Sequence, residues 1–374
     1  MRELRVWLEH EPVGMLSESD DLWAFDYDRE WVVRDDGFDL SPALPRARRH
    51  HRDGGTRRSV QWYFDNLLPE EELRRIVARD ARIRDHEDAF ALLEYLGAES
   101  TGALTLLPPD VPIERTAALR PLLPAELSRR IRQLPRVPLV REAPKRMSVA
   151  GAQHKLLVVR KGDDLYEPVG ATPSTHILKP DHPDRDAYPA STFLESLTMQ
   201  LAAAAGLQVP TIGLLHLPEP VYLVERFDRI VDPRTLLPET GDTPPAVRRL
   251  HVIDGCQLLD RSRLFKHAGA SVEALREMIE RTGDVLTLPQ RLFRWLVFNL
   301  LVGNDDCHLK NLSFIVEPHA ITLAPHYDLL ATGIYRTRAL DPDDGNWPKV
   351  DLAVRLAEGV RRFDQITPDA VLAA

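Results

Sequence analysis

Gly303-Asn304-Asp305-Asp306-Cys307-His308-Leu309-Lys310-Asn311, followed by His326-Tyr327-Asp328, is the stretch on which the reading of this chain turns. Asp306 precedes Asn311 by five residues. Phosphoryl-transfer loops use that spacing to set an Asp at the acceptor hydroxyl and an Asn on Mg2+. Two short apolar runs, Leu312–Ile315 and Ile321–Ala324, predict a β-hairpin that brings Asp328 back to the first two groups. A triphosphate needs such a set, because its charge is met by metal ions held on carboxylate and amide oxygens. The order Asp, Asn, Asp therefore points to a kinase.

Upstream, Leu292, Phe293, Leu296, Val297, Leu300 and Leu301 recur at helical spacing, which predicts a buried helix opening near Thr287 and Pro289. A core helix that ends on clustered charges holds them at a rigid site. That argues against a merely solvated turn. It also weakens a metal-dependent hydrolase built on Asp305, Asp306, His308, His326 and Asp328. Cys307 reads as a small filler, since no catalytic-cysteine signature surrounds it.

A 374-residue chain has room for two or three domains, and 44% hydrophobic with 28% charged residues is ordinary for a globular enzyme. The net charge of −9 does not favour nucleic acid, so such a contact would need a local patch. Two cysteines give no disulfide framework, and no apolar run approaches membrane-spanning length, so a cytoplasmic protein with no membrane contact is expected.

Three regions emerge, with a connector. Residues 1–107 open with alternating Leu4, Val6 and Leu8, a turn at Gly14 and a strand near Leu22–Tyr27. The basic stretch 46–58 reads as a mobile, solvated loop, with a phosphate or acidic-partner contact as its alternative. Helices are expected around Glu70–Ala78 and Glu87–Leu96, the latter closed by Gly97. Residues 108–146 carry eight prolines from Pro108 to Pro144, the density of a connector. No internal repeat stands out.

Residues 147–227 contain what a nucleotide site needs ahead of a catalytic loop. Ser148-Val149-Ala150-Gly151-Ala152-Gln153-His154-Lys155 is small enough for backbone N–H groups to approach phosphates, although it has one Gly. His176–Lys179 is a strand ending in a Lys that can reach phosphate. Ser191–Ala205 reads as a helix with Ser191 as N-cap and Gly206 as stop. Its Glu195 either pairs with Lys179 or answers the helix dipole. Val221–Phe227 reads as an edge strand whose backbone could hold an adenine. The sequential order of small-residue loop, strand Lys, helix Glu, edge strand, catalytic loop and metal Asp matches a bilobal kinase layout.

These motifs, with Val224-Glu225-Arg226-Phe227-Asp228-Arg229 and the upstream Phe64-Asp65-Asn66-Leu67-Leu68-Pro69, Leu96-Gly97 and Gly102-Ala103, resemble the HipA-like serine/threonine kinase toxins of bacterial toxin–antitoxin systems. The resemblance covers nearly the whole chain. It implies an α+β, bilobal protein-kinase-like fold: a β-rich N-terminal subdomain (1–107), the connector (108–146), a kinase N-lobe (147–227) and a mostly helical C-lobe (228–374). It also implies a set of roles. Ala150, Gly151, Ala152, Gln153, His154 and Lys155 would form the phosphate loop, and Lys179 would bind phosphate. Glu225, Arg226 and Phe227 would form the hinge at adenine. Asp306 would be catalytic, while His308, Leu309, Lys310, Asn311, Tyr327 and Asp328 would line the ATP and Mg2+ site. Asn311 and Asp328 would ligate the metal. Ser148 would be self-phosphorylated, which in the family ejects the loop. The implied target is a translation component such as glutamate–tRNA ligase. The implied partner is a small helix-turn-helix antitoxin of the HipB type that carries the complex to DNA.

The sequence ends at Ala374, soon after Lys349–Ala357 and Ile366-Thr367-Pro368, where the resemblance implies several more helices. His154 stands where an acidic residue is implied. An aminoglycoside-phosphotransferase-type kinase would share the Asp–Asn–Asp set but gives no reason for Ser148 or the N-terminal subdomain. A catalytically silent antitoxin-binding module gives no reason for a full set of metal-site residues.

Overall fold

The computed structural model describes residues 1–147, 150–151, 153–357 and 359–373. Alternating burial, with Leu4 and Val6 inside, builds an antiparallel sheet from β1 (Arg2–Leu8), β2 (Glu11–Ser19) and β3 (Leu22–Tyr27). After the short α1 (Arg29–Val33), β4 (His50–Arg52) pairs with β3. Helices α2 (Ser59–Asp65), α3 (Glu71–Asp80) and α4 (Ala89–Leu96) follow, and β5 (Leu104–Leu107) closes on β1. Edge-on rings lock the helices to the sheet, with Trp23 and Phe90 centred 5.2 Å apart.

Two expectations for this region are corrected. Gly14 lies inside β2 opposite Val6, and the chain turns at Glu9 instead. A Cβ at Gly14 would stand 2.5 Å from the Phe25 ring, so packing selects the glycine. The basic stretch is no mobile loop. His50–Arg52 is strand, Arg52 binds Asp26, Arg57 binds Asp260 at 2.6 Å, and Arg58 binds Asp21. Those charges are spent on nearby carboxylates rather than offered to phosphate.

The proline-rich segment also does more than connect. It forms β6 (Ala117–Pro121) and α5 (Pro124–Ile131), with Pro124 at the helix start. A sheet then assembles from β6, β7 (Leu156–Lys161), β8 (Asp164–Gly170), β9 (His176–Pro180), β10 (Ile212–His216) and β11 (Pro220–Glu225), in the order β10-β11-β9-β7-β8-β6. Leu127 and Ile131 of α5 pack beneath it on Leu156, Val158, Leu178 and Leu223. Strand β11 is interior, not an edge, so the backbone left for a ligand is the turn after Glu225. Helix α6 (Ser191–Ala204) crosses behind. Its N-cap residue is Ala190, and Asp181 caps the end by accepting from Thr192 N–H at 3.0 Å. Ser191 Oγ accepts from His182 N–H instead.

The C-lobe begins with β12 (Arg229–Val231), β13 (Val247–Arg249), β14 (Val252–Asp254) and a short α7 (Gly255–Leu258) capped by Asp254. Helices α8 (Val272–Thr282) and α9 (Leu288–Val302) precede the β15 (Ser313–Glu317) and β16 (Ala320–Leu323) hairpin, and α10 (Pro368–Ala373) ends it. Helix and hairpin stand where the sequence put them. No helix among the described residues is long and apolar enough to cross a membrane.

A buried ionic cluster ties these parts together. Glu99, after α4, is fully buried and accepts from Ser174 Oγ at 2.8 Å, Arg226 Nη1 at 3.1 Å, Arg229 Nη2 at 3.0 Å and Lys145 Nζ at 3.0 Å. Burial opposes its charge, but Lys145 and the arginines outweigh it and hold the carboxyl well below the usual range. Asp228 pairs with Arg226 and Arg229 and accepts from Gly102 N–H. Glu99→Gln keeps the shape but takes from buried Lys145 its carboxylate partner and leaves Arg226 and Arg229 with Asp228 alone, so the unfolding free energy should fall by about 3–5 kcal/mol. Arg75→Ala, which breaks an exposed pair with Glu72, should cost under about 1 kcal/mol. Urea denaturation compares the two, and equal losses would show that the cluster adds no more than a surface pair.

Candidate active site

Helix α9 ends at Gly303, whose φ of 68° is the left-handed conformation a helix stop needs. Beyond it the loop is pinned from several sides. Asn304 Nδ2 donates to Asn299 Oδ1 at 2.7 Å, Asp306 N–H to Asn304 Oδ1 at 3.0 Å, and Asp305 N–H to Thr332 Oγ1 at 2.7 Å. Asn311 Nδ2 donates to the Asp306 carbonyl at 2.9 Å, which leaves its amide oxygen free for a cation. The Asp306 carboxylate stands at the cleft mouth, more than half open to water yet crowded by protein. Burial first, and the charge of Asp328 second, push it up to about 7, and its access to water tempers the rise.

Asp328 sits at φ 57°, unusual for a residue with a side chain. Lys179 Nζ meets its Oδ1 at 2.6 Å and Glu195 Oε1 at 2.8 Å, so the strand Lys does pair with the helix Glu. Burial would raise the Asp328 carboxyl, but Lys179 and Lys155 hold it at about 2. Lys155 is pushed down to about 8 by burial and by Lys179, while its Nζ donates to the Ala150 carbonyl at 2.7 Å. An anion between the two lysines would relieve that strain. Gly151, at φ 109°, keeps the space open, since a Cβ there would stand 2.9 Å from Lys155 Nζ.

The inner cleft is apolar and aromatic. Ile177, Tyr222, Val224 and Leu330 line it. Phe227 and Tyr327 stack with centroids 5.4 Å apart, and Tyr327 Oη donates to the Lys310 carbonyl. The Phe227 N–H has no partner among the described residues, so it can donate to a planar base. Together the cleft has a flat slot, paired cations and hard oxygen donors, and those donors fit Mg2+.

Some expected residues do other work. The Arg226 guanidinium turns into the Glu99 cluster, bonding Glu99 and Asp228, although the residue also lines the cleft. His154 is buried on the far side against Leu73, Val77 and Leu96. Leu309 is core, and Lys310 Nζ is held by Asp254 at 2.5 Å and by Asn66. Cys307 is buried and burial pushes its thiol up, as a filler requires. His326 is buried beside Trp295, away from the cleft, so the five-residue hydrolase set does not assemble. Ala150, Gly151, Gln153, Lys155, Glu225, His308 and Asn311 all line the cleft. Ser148 and Ala152 lie outside the described residues.

Sequence reasoning missed Glu70, Glu71 and Lys266. Glu70 reaches in from the N-terminal subdomain, 2.7 Å from Lys266 Nζ and 3.3 Å from Lys310 Nζ. Its place directly after the Phe64–Pro69 motif is the one signal it carries.

Comparison with known proteins points to one family. Residues 147–371 match the family model of the HipA-like C-terminal domain and residues 4–107 that of the HipA N-terminal domain. A putative kinase of Sinorhizobium fredii is 34% identical over 348 residues, covering 90% of this chain and 78% of the relative. The serine/threonine-protein kinase toxin HipA of Shewanella oneidensis is 30% identical over 332 residues, 84% of this chain and 71% of the relative. The solved complex of Shewanella oneidensis HipA with HipB and operator DNA superposes with a TM-score of 0.77 at 27% identity, covering 98% of this chain and 82% of that one.

Glu70 tests how far the N-terminal subdomain supports the site. Burial opposes its charge, yet Lys310 and Lys266 hold its carboxyl at about 2, against an ordinary 4.5. Its contribution is therefore complete above pH 4.5 and is lost as pH falls toward 2. Glu70→Gln should lower stability at neutral pH by about 2 kcal/mol or more and flatten that acid limb. Denaturant titration across pH checks both, and an unchanged acid limb would assign it to other carboxylates.

Proposed function

The chain belongs to the HipA family of serine/threonine-protein kinase toxins, and from that premise we propose that it moves the γ-phosphoryl of Mg2+-bound ATP onto a protein Ser or Thr. The observation that carries the proposal is one cleft lined by Asp306, Asn311, Asp328, Lys179 and Lys155. Mg2+, when bound, supplies charge neutralisation at the β- and γ-phosphates. Asn311 and Asp328 would hold it through oxygen. Lys179, steadied by Glu195, and Lys155 with the Gly151 backbone would meet phosphate charge. Glu225 and Phe227 would bond the adenine edge, between Ile177, Val224 and the Tyr327 ring. Asp306 would orient the acceptor hydroxyl and take its proton, a role suited to a carboxylate poised near neutrality. His308 would line the nucleotide side of the loop.

By family resemblance the target is a translation component, glutamate–tRNA ligase among the candidates. The Shewanella oneidensis relative is solved with HipB and operator DNA. That supports a small antitoxin of the HipB type as partner, with DNA reached through it.

Asp306→Asn should cut turnover by roughly 100-fold or more while ATP still binds. The wild-type kcat/KM should fall as pH drops through about 7, because the proton acceptor is then occupied. A midpoint near 4, or normal turnover in Asp306→Asn, would remove Asp306 from that role.

Self-regulation follows from the same charges. A phosphate on Ser148 adds roughly two negative charges beside the loop meant for ATP phosphates. Incubation with ATP and Mg2+ should mark Ser148 and weaken ATP binding, and Ser148→Ala should prevent both. Mass spectrometry paired with ATP titration of both forms is the check. A marked protein that binds ATP as before would end the switch idea and leave the kinase reading intact.

A further inference from the structure

His267 has no part in the chemistry above, yet it stands against the catalytic loop. The segment carrying it is fixed there: Leu309 N–H donates to the Lys266 carbonyl, and Ala270 N–H to the His267 carbonyl. His267 Nε2 lies 3.8 Å from Asp306 Oδ1, and His308 Nε2 lies 3.9 Å from the same oxygen. The two imidazoles meet edge to face with centroids 4.7 Å apart. All three ligand atoms fall within 4.8 Å of one another.

We propose that His267, Asp306 and His308 form a site for a divalent transition metal of the Zn2+ type, and that filling it stops phosphotransfer. Two imidazoles and one carboxylate suit such a cation and not Mg2+, which prefers oxygen throughout. In a tetrahedral Zn2+ site the ligand atoms stand about 3.3 Å apart. The two gaps to Asp306 need to close by about half an ångström and the gap between the imidazoles by at most about 1.5 Å, and His267 and Asp306, which have to move, are both exposed. His308 is 7% exposed, and its buried Nδ1 has no hydrogen-bond partner among the described residues, while its Nε2 faces the cluster. Burial first and the neighbouring Lys266 second lower the pKa of both rings. A cation here would take the Asp306 oxygen that is to receive the acceptor's proton. The inhibition therefore rests on the proposed function, whereas the binding does not.

The test is Zn2+ titration of the full chain, by calorimetry and by competition with a chromophoric Zn2+ indicator, alongside Mg-ATP turnover at buffered Zn2+. The wild type should bind Zn2+ and lose turnover over one concentration range. His267→Asn, too short to reach, should keep its basal turnover, bind Zn2+ at least about tenfold more weakly and need a matching increase for inhibition. His267→Cys should restore binding. Equal Zn2+ affinity in the wild type and His267→Asn overturns the site. Weaker binding with unchanged inhibition overturns the mechanism. A protein without turnover in any form would sink the kinase reading and still leave the binding comparison decisive.

Discussion

The Glu99 carboxylate, sealed among Lys145, Arg226 and Arg229, is the contact on which the layout depends. Its four partners come from different stretches of chain: the proline-rich segment, the turn before β9 and the hinge after β11. An unpaired charge in that place would be intolerable, so the segments have to arrive together. The turn after β11, which lines the cleft, is thus aimed by a salt bridge to Glu99 of the N-terminal region.

Electrostatics also prepare the cleft for a polyanion. Lys179 is balanced by Glu195 and Asp328, whereas Lys155 Nζ donates to the Ala150 carbonyl, and burial with the charge of Lys179 lowers its pKa. Oxygen donors and cations sit side by side, Asp328 within 2.6 Å of Lys179, and the stacked Phe227 and Tyr327 rings line the same cleft. The arrangement suits a ligand with a base at one end and phosphates near a hard metal at the other.

Much of this was legible before any coordinates, and for identifiable reasons. Spacing of Asp306 and Asn311, the apolar rhythm of α9 and the hairpin back to Asp328 are local patterns, and local patterns survive folding. Order along the chain offered Glu195 as a partner for Lys179 or as an answer to the helix dipole, and the 2.8 Å contact decides between them. What escaped depends on distant contacts. Arg46–Arg58 looked solvated because its carboxylate partners, among them Asp260, lie far along the chain. The prolines of 108–146 read as a linker because burial of Leu127 and Ile131 against β7 and β9 leaves no mark in composition. Arg226 lay in a hinge motif, yet its long side chain turned to a buried carboxylate, and Glu70 entered the cleft from a domain with no kinase pattern at all.

The hydrophobic core adds a mechanical point. Apolar residues of 1–107 and of the C-lobe, from Leu4 through Phe64 to Trp295 and Phe314, form one continuous cluster that also takes in Met199 of α6 and Tyr222 and Val224 of β11, while Leu156, Leu178 and Leu223 of the same sheet close a second core with α5. Chain order and packing are therefore different partitions of the molecule. The first hundred residues share one core with the last hundred and fifty, and the sheet that lies between them in the chain is tied to that core as well as to α5.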